Sequence, residues 1–233
     1  MLNIRRAGER GKSNFNWLDS KHTFSFASYY DPQHMGHGPL RVINDDRVAP
    51  GGGFATHPHR DMEIVSYVLE GALEHKDSMG NGSVIRPGDV QRMSAGTGVT
   101  HSEYNHSREN PVHFLQIWFL PERAGLEPGY EQKHYPESDK RGRFRLVASR
   151  TGTDGSVRLN QDVNMMVGLF DGEESASLDI APERTAWLHV ACGDVRVNGE
   201  LLRAGDGASV EGGGQVEFSD GDGAEVIVFD MTR

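Results

Sequence analysis

With 233 residues, 36% of them hydrophobic, the chain can bury one large core or two cores of about 100 residues each. No apolar run approaches the roughly 18 residues that a membrane helix needs, so a helical membrane protein is excluded. The balance of 24 Lys+Arg against 34 Asp+Glu, a net charge of -10, favours solubility and argues against general affinity for phosphate backbones, so no nucleic-acid partner is expected.

In chain order, Arg5 and Arg6 are followed by polar residues through Asn16, without the apolar stretch that an export machinery reads. A cytoplasmic location is expected. Short apolar runs then follow, at Glu63 to Leu69, Val112 to Leu120, Leu188 to Val197 and Val226 to Phe229. They are too short for most helices and rich in Val, Ile, Phe and Tyr, which suit a pleated, half-buried surface. Asn81-Gly82 and Asn198-Gly199 predict tight hairpins, because both turn positions must tolerate positive φ. The basic cluster Lys140-Arg141-Gly142-Arg143-Phe144-Arg145 reads as a strand with one wet face, since Arg143 and Arg145 alternate with Phe144, Leu146 and Ala148. The single cysteine, Cys192, rules out an internal disulfide and fits a reducing compartment; within Leu188 to Cys192 it reads as a small buried thiol.

Many short strands between frequent turn signals predict an all-β sandwich or barrel. A loose internal repeat sharpens this. Gly71-Ala72-Leu73-Glu74, then Asn81-Gly82, then Arg86-Pro87-Gly88-Asp89 is echoed by Gly193-Asp194-Val195-Arg196, Asn198-Gly199 and Arg203-Ala204-Gly205-Asp206. Two related barrels in tandem are expected, with a hinge near residues 121–140, where Pro121, Gly125, Pro128, Gly129 and Pro136 fall. The expected division is an N-terminal barrel over 1–125, a linker and crossing strand over 126–145, and a C-terminal barrel over 146–233, with short helical or loop connections.

Two segments carry the chemistry. Gly51 to Glu63 holds His57 and His59, and Gly96 to Asn105 holds His101 and Glu103. Each pair is spaced i, i+2, which on a strand puts both side chains on one face. Two such strands facing one another inside a barrel bring four ligands to one point. Imidazole with carboxylate and no thiolate suits Fe, Mn, Ni, Cu, Co or Zn. A lone histidine in a β protein is usually a surface or satisfied core residue, but matched pairs beside apolar strands are a metal signature. Pro58 sits between the first two and cannot donate to a ladder, which places its strand at an edge or an end.

Other polar residues are read more plainly. Gln116 shares a strand face with Phe114 and Trp118, so it orients a ligand or substrate, or bonds to backbone. Asn44, Asp45 and Asp46 read as a turn, and His75, His106 and His134 as surface residues. Phe26, Tyr29 and Phe54 are candidate walls of a flat apolar pocket. Transferring the spacings to the second copy places the counterparts of the four ligands near Asp179, Ala181, Phe218 and Asp220, so the second barrel is expected to hold no metal.

Gly51-x5-His57-x-His59-x3-Glu63-x7-Gly71 resembles the first cupin motif with one extra residue before its last Gly, and Gly98-x2-His101-x3-Asn105 resembles the end of the second. With His22-Thr23-Phe24-Ser25-Phe26, Leu40 to Asp46, His57 to Glu63 and Met93 to Gly98, the chain resembles the pirin family, above all its bacterial members with quercetin 2,3-dioxygenase activity. The likeness is strong over residues 1 to about 120 and looser beyond. It implies a bicupin jelly roll with one divalent metal, in the N-terminal barrel only, Fe(II) in first place with Cu, Ni, Co, Mn or Zn as alternatives. It assigns the metal to His57, His59, His101 and Glu103, where Glu63 is the usual fourth ligand of many other cupins. It further implies an oxidoreductase acting on a flavonol and O2, with Glu103 also taking the substrate hydroxyl proton. A metal- or redox-sensing regulator acting through protein partners, or another metal-dependent small-molecule reaction, is the alternative.

Overall fold

Each apolar run singled out above, except for Leu120 at the end of its run, lies on a strand in the computed structural model, which describes residues 2–233. In chain order the strands are β1 (Leu2–Arg5), β2 (Gly11–Phe15), β3 (Leu18–His22), β4 (Leu40–Val48), β5 (Gly53–His59), β6 (Glu63–Glu70) and β7 (Leu73–Asp77). Then come β8 (Gly82–Ile85), β9 (Asp89–Ser94), β10 (Val99–Asn105), β11 (Val112–Phe119), β12 (Gly129–His134), β13 (Phe144–Ser149) and β14 (Val157–Arg158). The last are β15 (Val163–Gly172), β16 (Ala176–Ile180), β17 (Arg184–Val197), β18 (Glu200–Arg203), β19 (Gly207–Val210) and β20 (Gly214–Thr232). Among the described residues, helix is confined to short 3-10 turns at Ala7–Glu9, Glu137–Asp139 and Thr153–Gly155. None is long and apolar enough to cross a membrane.

The chain forms two compact units. One comprises Gly11–His134 and Val157–Gln161. Its strands make a sheet in the order β12-β9-β6-β11-β4-β3-β2 and a smaller sheet in the order β5-β10-β7-β8. The core of this unit includes Leu18, Val48, Val68, Leu73, Ile85, Val112 and Phe114. Each such side chain contributes on the order of 2 kcal/mol by leaving water.

The other unit takes in β1 with the residues to Arg10, Tyr135–Ser156 and Asp162–Arg233. Its main sheet runs β1-β19-β17-β20-β15-β13, with β16 paired to β20 and β18 to β17. Phe170 stacks on Phe218 and Phe144 packs edge-on against Phe218 within its core. Phe144 therefore faces inward as its alternation predicts. The register slips between Leu146 and Ala148, however, so Val147 and Ala148 are both buried and the alternation fails there.

The internal repeat has a conformational basis. Gly71 and Gly193 open their copies at φ 78° and 64°, and in each a Cβ would run into a carbonyl oxygen, of Pro111 or of Asp222. The hairpins differ. Asn198 and Gly199 both have positive φ, as a two-residue turn requires. Between β7 and β8 the loop is longer than the Asn81-Gly82 pair predicts. There Asp77 Oδ1 takes the N–H groups of Met79 and Asn81, and the positive φ falls on Gly80. The turn is thus organised by a side-chain carboxylate. Cys192 is partly exposed where a buried thiol was expected, at a register slip in β17.

In this unit Asp206 anchors the first residues of the chain. Its carboxylate accepts the Ala7 N–H at 2.7 Å and the Arg6 guanidinium at 2.8 Å, and it is 4% exposed. Burial alone pushes the carboxyl up, but the N–H groups of Ala7 and Arg203 with Arg6 outweigh it and hold it below the usual range. A depressed carboxylate stabilises the fold above its ordinary pKa, and that stabilisation fades as pH falls through the lowered one. Asp206→Asn is accordingly expected to cost about 1–2 kcal/mol at pH 7, with the gap to wild type closing below about pH 4 in urea unfolding curves.

Candidate metal centre

β5 and β10 pair antiparallel, and their register sets His101 opposite His57. Along β10, Val99, His101, Glu103 and Asn105 are buried while Thr100 and Tyr104 are exposed, which defines the inward face. Between His101 and Glu103 the register slips, leaving Ala55 and Thr56 of β5 against Ser102 alone. A bulge of this kind bends the strand and re-aims the side chains beside it. β5 is an edge strand, as Pro58 requires. Asn105 ties the far end of β10: its Nδ2 donates to the carbonyls of Val48, Ala49 and Asn110.

The three imidazoles converge. Ring centroids lie 4.8 Å apart for His57 and His59, 4.5 Å for His57 and His101, and 4.8 Å for His59 and His101. Each offers a nitrogen within 4.8 Å of the other two, and the Nε2 atoms of His57 and His101 are 3.0 Å apart. His57 donates Nδ1–H to the Ala55 carbonyl at 2.7 Å, which leaves its Nε2 with a lone pair. His59 Nε2 is buried without a hydrogen-bond partner. Burial, then the neighbouring imidazoles of His101 and His57, pushes His59 down to about 4. Burial, then His57 and His75, pushes His101 down to about 3. At neutral pH both are therefore neutral, the form that ligates metal. An orphaned buried nitrogen among crowded neutral imidazoles fits a divalent cation.

Glu103 is 2% exposed, and both its oxygens accept hydrogen bonds. Gln116 Nε2 donates to both its oxygens, at 2.7 and 3.0 Å, and Ser66 Oγ donates to Oε1 at 3.1 Å. Gln116 thus orients this carboxylate, one of the roles its strand parity allowed. Glu63 lies elsewhere. It is 1% exposed, and Ser94 Oγ with the backbone and side-chain amides of Asn160 occupy its oxygens. A second group, His75, His101 and Glu103, also brings donor atoms within 4.8 Å of one another. Among the described residues no comparable group occurs in the unit that contains β15 to β20.

A cavity of about 580 Å³ opens onto His57, His59 and Glu103, walled by Trp17, Phe26, Phe54 and Trp118. Trp118 meets His59 edge-on at 4.9 Å. Tyr29, expected in this wall, instead stacks on His22 and lies flat over Gly11, where a Cβ would collide with its ring. Asn44, Asp45 and Asp46 are not a turn but part of β4. Asn44 and Asp46 face inward with Leu40, Val42 and Val48, and both line the cavity. That parity was visible in the sequence and is the signal that would have found them. Burial, against a Ser20 hydrogen bond and assisted by Asp45 and Glu103, raises Asp46 to about 7. Its Oδ1 and the Trp118 Nε1 are buried without hydrogen-bond partners, and both residues belong to the cavity lining.

Of the three histidines read as surface, His106 and His134 are exposed, each paired with a carboxylate, Glu74 and Asp89. His75 is the exception, at 0% exposure. It shares strand parity with Leu73 and Asp77, the pattern that betrays an inward face.

Known proteins share this sequence and fold over nearly the whole chain. The family model described as Pirin matches residues 3–119, and that described as Quercetinase C-terminal cupin domain matches residues 146–231. The chain is 45% identical over 231 residues to the quercetin 2,3-dioxygenase of Escherichia coli (strain K12), covering 99% of each. It is 38% identical over 231 residues to a pirin-like protein of Caulobacter vibrioides, again covering 99% of each. Among solved structures, a bacterial pirin from Escherichia coli in complex with nickel(II) superposes with a TM-score of 0.94 at 44% identity, covering 100% of this chain and 99% of that one.

Proposed function

This chain belongs to the pirin family of bicupins, and on that premise we propose that it is a metal-dependent dioxygenase that cleaves a flavonol such as quercetin with O2. The metal is held by His57, His59, His101 and Glu103. The observation that carries the reading is the convergence of three imidazole nitrogens, two of them, on His57 and His59, from residues that line an aromatic-walled cavity of about 580 Å³. Three imidazoles and a carboxylate without thiolate suit Fe(II), and the same donors accept Ni, Co, Mn, Cu or Zn. The metal, when bound, would supply Lewis acidity for a substrate oxygen and a centre for oxygen chemistry.

The remaining work falls to the chain. Trp17, Phe26, Phe54 and Trp118 present flat apolar surface to a planar aromatic substrate and keep water out. Asp46 and Trp118 belong to the same lining and bring a carboxyl and an indole N–H close to its hydroxyl or carbonyl groups. Glu103 takes the proton of the substrate hydroxyl, and Gln116 and Ser66 hold its oxygens in place for that transfer.

The test incubates the metal-loaded protein with quercetin, with and without air, and follows substrate absorbance and evolved carbon monoxide. Oxygen-dependent loss of quercetin with release of carbon monoxide, absent from a His57→Ala variant, is expected. Turnover no faster than that variant's overturns the dioxygenase reading.

A further inference from the structure

His75 and Asp77 stand on β7 beside β10, with His75 opposite Glu103 and Asp77 opposite His101 in the register. Both side chains are 0% exposed, and the Tyr130 ring covers His75 at 5.3 Å. His75 Nε2 lies 3.2 Å from Asp77 Oδ2, and its Nδ1 lies 3.5 Å from His101 Nδ1.

These contacts constrain where each hydrogen sits. Burial raises the Asp77 carboxyl, but hydrogen bonds from Asn81 and His75 more than offset it and hold it below the usual range. Asp77 also accepts the backbone N–H groups of Met79 and Asn81 and the Asn81 side-chain amide, so its oxygens act as acceptors and His75 Nε2 donates to it. With its Nε2–H directed at Asp77, His75 presents Nδ1 to His101 as an acceptor, and the hydrogen between the rings comes from His101 Nδ1. His101 Nε2 is then a bare lone pair. It faces the Nε2 lone pair of His57 across 3.0 Å, and a cation beside the two would be held by both.

We propose that His75 and Asp77 are positioning residues for the metal: a chain of hydrogen bonds from Asp77 through His75 selects the His101 tautomer whose Nε2 ligates. The role rests on the reading of His57, His59 and His101 as ligands. It matches the general pattern in which a ligating imidazole passes its other N–H to an acceptor that fixes ring and tautomer.

Two measurements test it. In 15N NMR of the metal-free wild-type chain, His101 is expected as the Nδ1–H form. Nickel(II) affinity is then measured by competition with a chromogenic chelator. His75→Phe, which keeps ring volume but lacks the acceptor, is expected to bind about 10- to 100-fold more weakly. His75→Asn, which returns a carbonyl acceptor near the same place, is expected to recover most of that loss. Should the Phe variant fail to fold, by its metal-free melting curve, the Asn variant and the NMR signals decide. His101 as the Nε2–H form, or nickel affinity unchanged in His75→Phe, overturns the proposal. Nickel kept at wild-type affinity by His57→Ala and lost by His75→Phe also overturns it, because His75 would then be a ligand itself. A wild-type chain that takes up no nickel overturns the ligand reading instead, and the NMR still decides the hydrogen-bond chain.

Discussion

Replacing His101 by alanine is expected to empty the metal site and to lower flavonol turnover by about 10³-fold or more, while the protein stays folded. The size follows from losing several kcal/mol of Lewis-acid stabilisation, at about 1.4 kcal/mol per factor of ten. The effect should exceed that of losing an exposed imidazole, because His101 is the most enclosed of the three and touches both others. Its removal also leaves His75 Nδ1 without a donor. Elemental analysis of purified protein should find well under one tenth of the wild-type metal content. Wild-type metal content in His101→Ala would mean that the ion sits elsewhere.

The second large effect separates two buried carboxylates. Glu63→Ala is expected to destabilise the unit that holds β6 by about 3 kcal/mol, roughly 10 °C in Tm, while leaving metal affinity within about threefold of wild type. Ser94 Oγ and two amide donors of Asn160 lose their acceptor in that variant, and unpaired buried donors are costly. Glu103→Gln is expected to do the reverse. Its amide keeps the volume but neither binds metal as well nor takes a proton, so turnover should fall about 10²-fold or more with little change in Tm. Metal loss in Glu63→Ala with retention in Glu103→Gln would reverse the assignment of the carboxylates. Calorimetry and metal analysis of the two variants read both effects.

The strand identity of the apolar runs was legible because alternation and β-branched content are local properties, and the ligand pairs were legible because i, i+2 spacing is strand parity itself. The same parity was present at Asn44 and Asp46 and at His75 and Asp77, yet it was overridden there by composition. Runs of Asn and Asp usually mark turns, and a histidine without a close partner in sequence usually lies outside. The Asn81-Gly82 turn was misplaced for a related reason: Asp77 supplies the turn's hydrogen bonds from outside the tight-turn motif.

What the sequence determined by itself was therefore the all-β, twice-repeated architecture, the family, and the residues that share a face. What only the tertiary structure decided was which faces meet. Register set His57 against His101 and Asp77 beside His101, a bulge re-aimed Glu103, and Gln116 came from a strand of the other sheet to hold it. Partner choice and register depend on loop closure and on packing between distant segments, and a period of two residues carries no information about either.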